Sequence, residues 1–150
     1  MTDAPIRVLF VCTGNSARSV MAEALLRHEG GAAFEVHSAG TKPKGVNPLT
    51  LQVFAEAGID AAWARSKPVT EYLGQPFDYV ITVCDQAREA CPYFPGAHAS
   101  LHWGYEDPAA AAGTDEERLA VFRRVLTQMA ERIRLFIPLA RRGAVTTDGA

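Results

Sequence analysis

The sequence predicts an α/β fold built on a parallel sheet. Residues 8–11 are four consecutive apolar residues, and a strand of this kind, buried on both faces, is typical of parallel sheets. From Arg18 onward the spacing of apolar residues is helical, so this strand gives way directly to a helix. A second apolar run over 77–83 is again followed by a segment that can be helical. Strands that give way to helices in this manner form the sheet of an α/β protein.

The other elements follow from apolar spacing and from glycine and proline positions. The first helix covers 18–28 and ends at the glycine pair 30–31, because glycine is a natural helix stop. A strand over 34–38, a loop over 39–47 and a helix over 48–57 follow. A helical turn is predicted over 66–73, a helix over 85–91, a fourth strand over 99–103 and a loop over 104–113.

The longest predicted helix begins at Thr114 or Asp115, with acidic residues in its first turns. Apolar residues recur on it at three- and four-residue steps, and we expect this stripe to dock on the sheet. An amphipathic membrane-surface helix is the alternative, but Glu116, Glu117 and Glu131 dilute the basic face that such a helix needs. The members of the stripe are Leu119, Phe122, Leu126, Met129, Ile133, and Phe136 or Ile137.

Length and charge limit the class of protein. At 150 residues the chain is predicted to form one catalytic domain over 1–140, followed by a mobile polar tail over 141–150. A net charge of −2 gives no general attraction for nucleic acid or for an anionic membrane, so any anion must be held by local geometry. There is no apolar run long enough for a signal peptide or a membrane span. We expect a cytoplasmic monomer.

Cys12 lies where the first strand meets the first helix. A loop around a helix N-terminus directs backbone N–H groups and the positive end of the helix dipole at one spot, which suits a tetrahedral oxyanion. Arg18 adds a planar cation that can bind two oxygens of one anion. An isolated cysteine is more often a small buried hydrophobic residue. Here the arginine and the Gly14-Asn15 pair, which suits positive φ, favour a thiolate nucleophile. The predicted oxyanion-binding residues are Thr13, Gly14, Asn15, Ser16, Ala17, Arg18 and Ser19.

Cys84 and Cys91 are a second pair of candidate reactive thiols. Cys84 ends a predicted strand, and since ligand sites in open α/β sheets lie beyond the strands' carboxyl ends, we expect Cys84 to share an edge with Cys12. Cys84 and Cys91 are seven positions apart, which on a regular helix is about 10.5 Å along the axis. A disulfide needs Cα atoms within roughly 7 Å. The pair can close only if the helix unwinds, as a redox switch requires. The alternative is a core Cys84 and an incidental Cys91.

The three cysteines do not suggest a structural role. Their number is odd and their spacing wide, unlike a disulfide framework. A zinc site formed by Cys84, Cys91, His98 and His102 is disfavoured, because the gaps do not match the close pairs of structural zinc ligands. No metal site is therefore predicted.

Asp107 is a candidate general acid. The proline after it favours an extended backbone, and the aromatic residues before it can desolvate its carboxyl enough to retain a proton. An Asp-Pro pair is more often only a turn, so this alternative stays open.

With these residues in place, the sequence resembles the thioredoxin-coupled arsenate reductases, which share the fold of the low-molecular-weight protein tyrosine phosphatases. The phosphate-loop motif alone indicates only the superfamily, whereas the paired downstream cysteines and the tryptophan-containing Asp-Pro segment are more specific to the reductases. The matching stretches span about residues 6 to 137 and are Val11-Cys-Thr-Gly-Asn-Ser-Ala-Arg-Ser19 with Met21-Ala-Glu23, Ser38-Ala-Gly40, Gly45-Val-Asn-Pro48, Val83-Cys84 through Cys91-Pro92, and His102-Trp-Gly-Tyr-Glu-Asp-Pro-Ala109.

The resemblance implies a three-layer fold, with an open four-stranded parallel sheet flanked by helices, and a three-thiol relay. Cys12 is expected to attack arsenate while Asp107 protonates the departing oxygen. Cys84 is then expected to attack the Cys12 sulfur, which releases arsenite. Cys91 resolves the resulting disulfide to Cys84–Cys91, which thioredoxin reduces.

The resemblance also assigns supporting roles and partners. Ser19 is expected to hydrogen-bond the thiolate, and Asn15 to hold the loop conformation. Phosphate and sulfate are expected to bind as analogues of arsenate. No bound cofactor is implied, since the electrons come from external reduced thioredoxin or a similar dithiol.

Two departures from the family pattern concern the loop and its surroundings. Many relatives carry another cysteine where this chain has Ala17, which is not one of the three relay thiols. Some relatives bind potassium through residues matching Asn15, Glu23 and Ser38 together with an acidic residue, and Lys67 stands at that acidic position here. Its ammonium can take the cation's place, so we expect no specific potassium effect.

Two other functions compete with arsenate reduction. A low-molecular-weight phosphatase would use Cys12, Arg18 and Asp107 on phosphotyrosine, but such enzymes usually place the acid in a later Asp-Pro-Tyr segment, which this chain lacks. They also need no second thiol pair. A non-catalytic thiol sensor or oxyanion-binding regulator is the other possibility, and the presence of both an acid and a nucleophile argues against it.

Overall fold

The computed structural model, which describes residues 4–92, 94, 96–143 and 145, shows a parallel four-stranded sheet flanked by helices. The strands are β1 (Ile6–Cys12), β2 (Phe34–Gly40), β3 (Tyr79–Thr82) and β4 (Ala99–His102). The helices are α1 (Arg18–Gly30), α2 (Pro48–Glu56), α3 (Asp85–Ala90) and α4 (Asp115–Arg141), with short 3-10 turns at Gly31–Ala33, Val69–Tyr72 and Pro108–Ala110. The predicted fold class is confirmed.

The strand order β2-β1-β3-β4 places β1 inside the sheet. Its residues from Val8 to Val11 are fully buried, as their uninterrupted apolar character predicted. β2 runs two residues further than predicted, because Gly40 still pairs with Cys12. A Cβ on Gly40 would lie 2.6 Å from the Thr13 carbonyl oxygen, so glycine allows β2 to reach the loop that follows β1.

α4 begins with a reciprocal cap and buries its apolar stripe against neighbouring helices. The Thr114 hydroxyl accepts from the Glu117 N–H at 3.2 Å, and the Glu117 carboxylate accepts from the Thr114 N–H at 3.1 Å. The whole predicted stripe is buried, with Phe136 and not Ile137 as its last member. α4 packs against α1 and α2, and the Phe136 ring contacts the Tyr79 ring on β3 at 5.2 Å.

β3 is shorter than the predicted run over 77–83. Its ladder with β1 covers only four residue pairs. Phe77 packs its ring against Tyr72 and Phe94. The Asp78 N–H still donates to the Arg7 carbonyl, but the Arg7 N–H donates to the Asp78 carboxylate, at 2.8 Å, and not to a strand carbonyl. The apolar run therefore mixes sheet residues with residues of an aromatic cluster, which hydrophobicity alone does not separate.

Other boundaries differ at the ends of elements. α1 extends to Gly30, α2 and α3 each end one residue early, and only Val69–Tyr72 of the segment 66–73 is helical. Arg141, placed in the predicted tail, is the last residue of α4, and Val145 is buried. The rest of that tail, residues 144 and 146–150, lies outside the described residues. Within the described part of the chain, no helix is long and apolar enough to cross a membrane.

Candidate active site

The loop between β1 and α1 folds around the sulfur of Cys12. The Asn15 N–H donates to Cys12 Sγ at 3.2 Å, and Ser19 Oγ lies 2.8 Å from the same sulfur. Asn15 has a φ of 46°, the left-handed conformation that the Gly14-Asn15 pair suggested. Cys12 itself is buried. Donors directed at a buried sulfur suit a thiolate, which accepts hydrogen bonds more strongly than a thiol does.

The Asn15 side chain ties this loop to the neighbouring elements. Its Nδ2 donates to Ser19 Oγ at 2.7 Å and to Ser38 Oγ at 3.0 Å. Its Oδ1 accepts from the Lys67 N–H at 2.8 Å. The side chain is fully buried, so each of these bonds forms without competing water. Asn15 is thereby in position to hold the loop conformation, the role that the resemblance implies for it.

A buried carboxylate, Glu23, lies behind the loop. It accepts from Ser38 Oγ at 2.6 Å and pairs with Arg27 at 2.7 Å. Lys67 Nζ lies 3.6 Å from the same carboxylate, so its ammonium is beside the acid that the resemblance associated with potassium in some relatives. Burial lowers the pKa of Lys67, and the charge of Glu23 opposes this shift. The cations beside Glu23 offset the cost of burying its charge.

Above the sulfur is a cavity of about 250 Å³ that forms a cup. Arg18 lines it, and its guanidinium donates to the Tyr105 carbonyl oxygen at 3.1 Å and lies 3.7 Å from Asp107 Oδ2. The residue that caps α1, Ala17, offers no side-chain acceptor, so no side-chain cap covers this helix N-terminus in the described structure. The cup therefore combines a helix N-terminus with a guanidinium, the elements of an oxyanion site.

Asp107 fixes a turn and also lines the cup, but its side chain is exposed, so the desolvation predicted from the neighbouring aromatic residues is not observed. Its Oδ1 accepts from the Ala109 N–H at 3.0 Å and so caps the 3-10 turn that Pro108 begins. Its Oδ2 is directed toward Arg18, and the residue lines the cup. One carboxyl oxygen thus fixes the turn, while the residue also lines the cup in which an oxyanion would bind.

Cys84 lies at the same sheet edge as Cys12. Its sulfur is 3.4 Å from Thr13 Oγ1, in the loop itself, and it lines a second cavity of about 560 Å³ that shares Arg18 and Asp107 with the cup. Cys84 is only 4% exposed. The thiols of Cys12 and Cys84 are thus both close to the cup. Because parallel strands end at the same edge of a sheet, this shared edge could be predicted from the sequence.

α3 separates Cys84 from Cys91. The Arg88 N–H donates to the Cys84 carbonyl at 3.1 Å, and the Cys91 N–H donates to the Ala87 carbonyl at 2.8 Å, so helical bonds hold the two cysteines at opposite ends. All three cysteines are free thiols. Burial raises the pKa of Cys91 to about 11, which keeps this thiol protonated at neutral pH.

Sequence reasoning missed several residues around the site. Lys42 and Lys44, assigned only to a loop, line the cup. His102 was assigned no contacts from the sequence, but its ring bonds Thr82 Oγ1 at 2.8 Å and Asp85 Oδ1 at 2.9 Å. These contacts join residues far apart in the chain. For Lys42 and Lys44, the one available signal was that the loop over 39–47 directly follows β2, the strand that pairs with β1.

Comparison with known proteins agrees with this geometry. The family model for low molecular weight phosphotyrosine protein phosphatase matches residues 7–144. An arsenate reductase of Halalkalibacterium halodurans is 43% identical over 129 residues, which cover 86% of this chain and 93% of that protein.

Two solved structures are similar as well. One, an arsenate reductase in the phosphate binding state, is 31% identical with a TM-score of 0.73, over 89% of this chain and 97% of the other. The thioredoxin-dependent arsenate reductase of Corynebacterium glutamicum is 33% identical with a TM-score of 0.64, over 90% of this chain and 65% of that one. The chain therefore belongs to the low molecular weight phosphotyrosine protein phosphatase family and, within it, to the arsenate reductases.

Proposed function

We propose that this protein reduces arsenate to arsenite through Cys12, Cys84 and Cys91, and that thioredoxin or a similar dithiol protein reduces it again. The observation that carries the proposal is the set of three free thiols, of which one lines the oxyanion cup, one lies against its loop and one lies at the far end of α3. Cys12 lies in the loop, Cys84 lies against Thr13, and Cys91 lies across a six-residue helix. A phosphatase needs only the first of these thiols, whereas a two-electron reductase uses all of them.

The first step is nucleophilic attack on arsenate. The loop N–H groups and the Arg18 guanidinium bind the arsenate oxygens and neutralise their charge. Cys12 attacks arsenic and forms an S–As bond, and one oxygen leaves as water after Asp107 donates a proton to it. Arsenic remains As(V) in this adduct. Ser19 and the Asn15 N–H orient the sulfur for attack.

The second step transfers the electrons. The Cys84 thiolate attacks the Cys12 sulfur, and the S–As bond breaks with its electron pair left on arsenic. Arsenic becomes As(III) and leaves as arsenite, while the two sulfurs give up two electrons and form a disulfide. The position of Cys84 beside Thr13 brings it to the loop for this attack.

The third step moves the disulfide away from the cup. Cys91 loses its proton and attacks Cys84, which releases Cys12 as the thiolate that the loop stabilises. The helical hydrogen bonds of α3 must break first, because they hold Cys84 and Cys91 at opposite ends. Unwinding exposes the new disulfide to thioredoxin.

A single-turnover experiment tests the proposal. Reduced protein receives excess arsenate without any reductant, and free thiols, arsenite and disulfides are then measured. We expect two of the three thiols to be lost, one equivalent of arsenite to appear, and peptide mapping to join Cys84 to Cys91. Phosphate in place of arsenate is the matched control and should oxidise nothing. Arsenate treatment that leaves all three thiols free would contradict the relay.

Lys67 leads to a prediction about potassium. Its ammonium lies beside Glu23, so the rate of arsenate reduction should be the same, within about twofold, in potassium and sodium chloride at equal ionic strength. Lys67→Asp is the matched variant, since it places two carboxylates together and creates a need for a cation. Its activity and melting temperature should rise with potassium. A steep rise of the parent's rate with potassium but not sodium would contradict the prediction.

A further inference from the structure

Lysine is rare in this protein, and every lysine lies at the candidate active site. The 15 basic residues comprise 12 arginines and only three lysines. Lys67 lies behind the phosphate loop, and Lys42 and Lys44 line the cup above Cys12. The fold and the proposed relay give no role to Lys42 and Lys44.

The backbone that carries these two lysines is fixed to the phosphate loop. The Thr41 N–H donates to the Cys12 carbonyl at 3.1 Å, and the Lys42 N–H donates to the Thr13 carbonyl at 2.8 Å. The Lys44 N–H donates to the Gly14 carbonyl at 3.0 Å. The segment therefore lies along the loop, and the backbone of both lysines is held beside the cup.

The side chains are directed to the mouth of the cup and keep their charge available. The Lys44 stem packs over Gly14, where an added Cβ would lie 2.8 Å from Lys44 Cε, so glycine leaves room for this lysine. Both lysines are exposed, and neither ammonium pairs with a carboxylate among the described residues. Arg18, in contrast, already contacts Tyr105 and Asp107.

Lysine is a residue type suited to attracting an oxyanion from solution. A lysine ammonium is a hydrated point charge on a flexible stem, which attracts an anion without fixing its orientation, whereas the planar fork of Arg18 orients it. The protein as a whole carries a charge of −2, so an arsenate dianion gains no attraction from its net charge. Cations at the mouth of a cavity supply that attraction locally and raise the association rate.

We propose that Lys42 and Lys44 capture the oxyanion at the mouth of the cup and deliver it to the loop, and that they determine affinity for arsenate without taking part in the chemistry. This inference rests on the proposed reduction of arsenate. The capture role extends to phosphate and sulfate, because the positive charges of Lys42 and Lys44 attract these anions as well.

The test is the double variant Lys42→Gln, Lys44→Gln, which keeps the side-chain stems and removes both charges. At low ionic strength we expect kcat/KM for arsenate to fall on the order of tenfold, through a higher KM at an unchanged kcat. The inhibition constant of phosphate should rise by the same factor. In about 0.5 M sodium chloride, which screens exposed charges, the difference from the parent should shrink to about twofold or less.

Two control variants separate local capture from net charge. Arg141→Gln, Arg142→Gln makes the same change in net charge far along the chain, at exposed side chains. It should leave KM and kcat within about twofold of the parent. Lys42→Arg, Lys44→Arg keeps both charges and should keep most of kcat/KM. Equal losses in the remote and the local glutamine variants would show a net-charge effect and overturn the inference.

A second readout does not depend on arsenate reduction. Phosphate bound in the cup should protect Cys12 from iodoacetamide, and the glutamine double variant should need on the order of tenfold more phosphate for the same protection. If the parent fails to reduce arsenate but shows this shift, the proposed function is wrong and the capture role stands. If the parent reduces arsenate and the double variant matches it in KM and in phosphate protection at low salt, the capture role is wrong and the proposed function stands.

Discussion

Cys12→Ser is expected to abolish arsenate reduction, with kcat/KM at least about 10⁴-fold below that of the parent, the scale seen when a nucleophile is removed. A serine hydroxyl is a weaker nucleophile at neutral pH, and an oxygen cannot form the disulfide by which two electrons reach arsenic. The measurement is arsenate-dependent oxidation of reduced thioredoxin, coupled to NADPH consumption through thioredoxin reductase. Retention of a tenth of the parent's rate would contradict a nucleophilic role for Cys12.

The same variant should still fold and bind oxyanions. Serine is only slightly smaller than cysteine. Ser19 and the Asn15 N–H can hydrogen-bond the hydroxyl of a serine at position 12 as they do the Cys12 sulfur. We therefore expect the free energy of unfolding to change by no more than about 1 kcal/mol. Phosphate should raise the melting temperature of parent and variant alike, because Arg18 and the loop N–H groups remain. This comparison separates a lost nucleophile from a collapsed cup.

Local sequence was sufficient to predict the parts of the site that one strand-to-helix junction supplies. Cys12, Arg18 and the left-handed Asn15 all lie within seven residues, and their positions follow from where β1 ends and α1 begins. The shared edge of Cys12 and Cys84 was also predictable, because parallel strands in an open sheet end on the same side. Asp107 was a candidate acid from its local sequence as well as from the resemblance, the role of Ser19 came from the resemblance alone, and the structure adds the contacts of both.

The parts that could not be predicted depend on how distant segments pack. Lys42 and Lys44 follow β2, and nothing in their local spacing indicates hydrogen bonds to the loop after β1. The bond from Arg18 to the Tyr105 carbonyl joins residues 87 positions apart. The end of β3 near Phe77 was misjudged for a related reason, since an apolar residue in an aromatic cluster has the same pattern as one in a strand. The spacing of apolar residues indicates which residues are buried, but not which residues they pack against.

Cys91→Ser is expected to separate the first turnover from all later ones. Cys12 and Cys84 remain, so excess arsenate without reductant should still release one equivalent of arsenite and leave a Cys12–Cys84 disulfide. Both of these sulfurs belong to buried residues, which limits attack by thioredoxin. Steady-state turnover with thioredoxin should therefore fall on the order of 100-fold or more, since thiol–disulfide exchange requires access to the sulfur. Cys84→Ser is the matched variant and should release no arsenite even once.

The chemistry of Cys91 gives this prediction a second measurement. Burial raises its pKa to about 11, so in the reduced parent the thiol is protonated at pH 8 and iodoacetamide should modify it slowly, with a rate that increases as the pH approaches 11. Arsenate should abolish this labelling in the parent, because Cys91 then lies in the disulfide with Cys84. A Cys91→Ser variant that turns over with thioredoxin at the parent's rate would show that the relay ends at Cys84. Unwinding of α3 would then have no part in it.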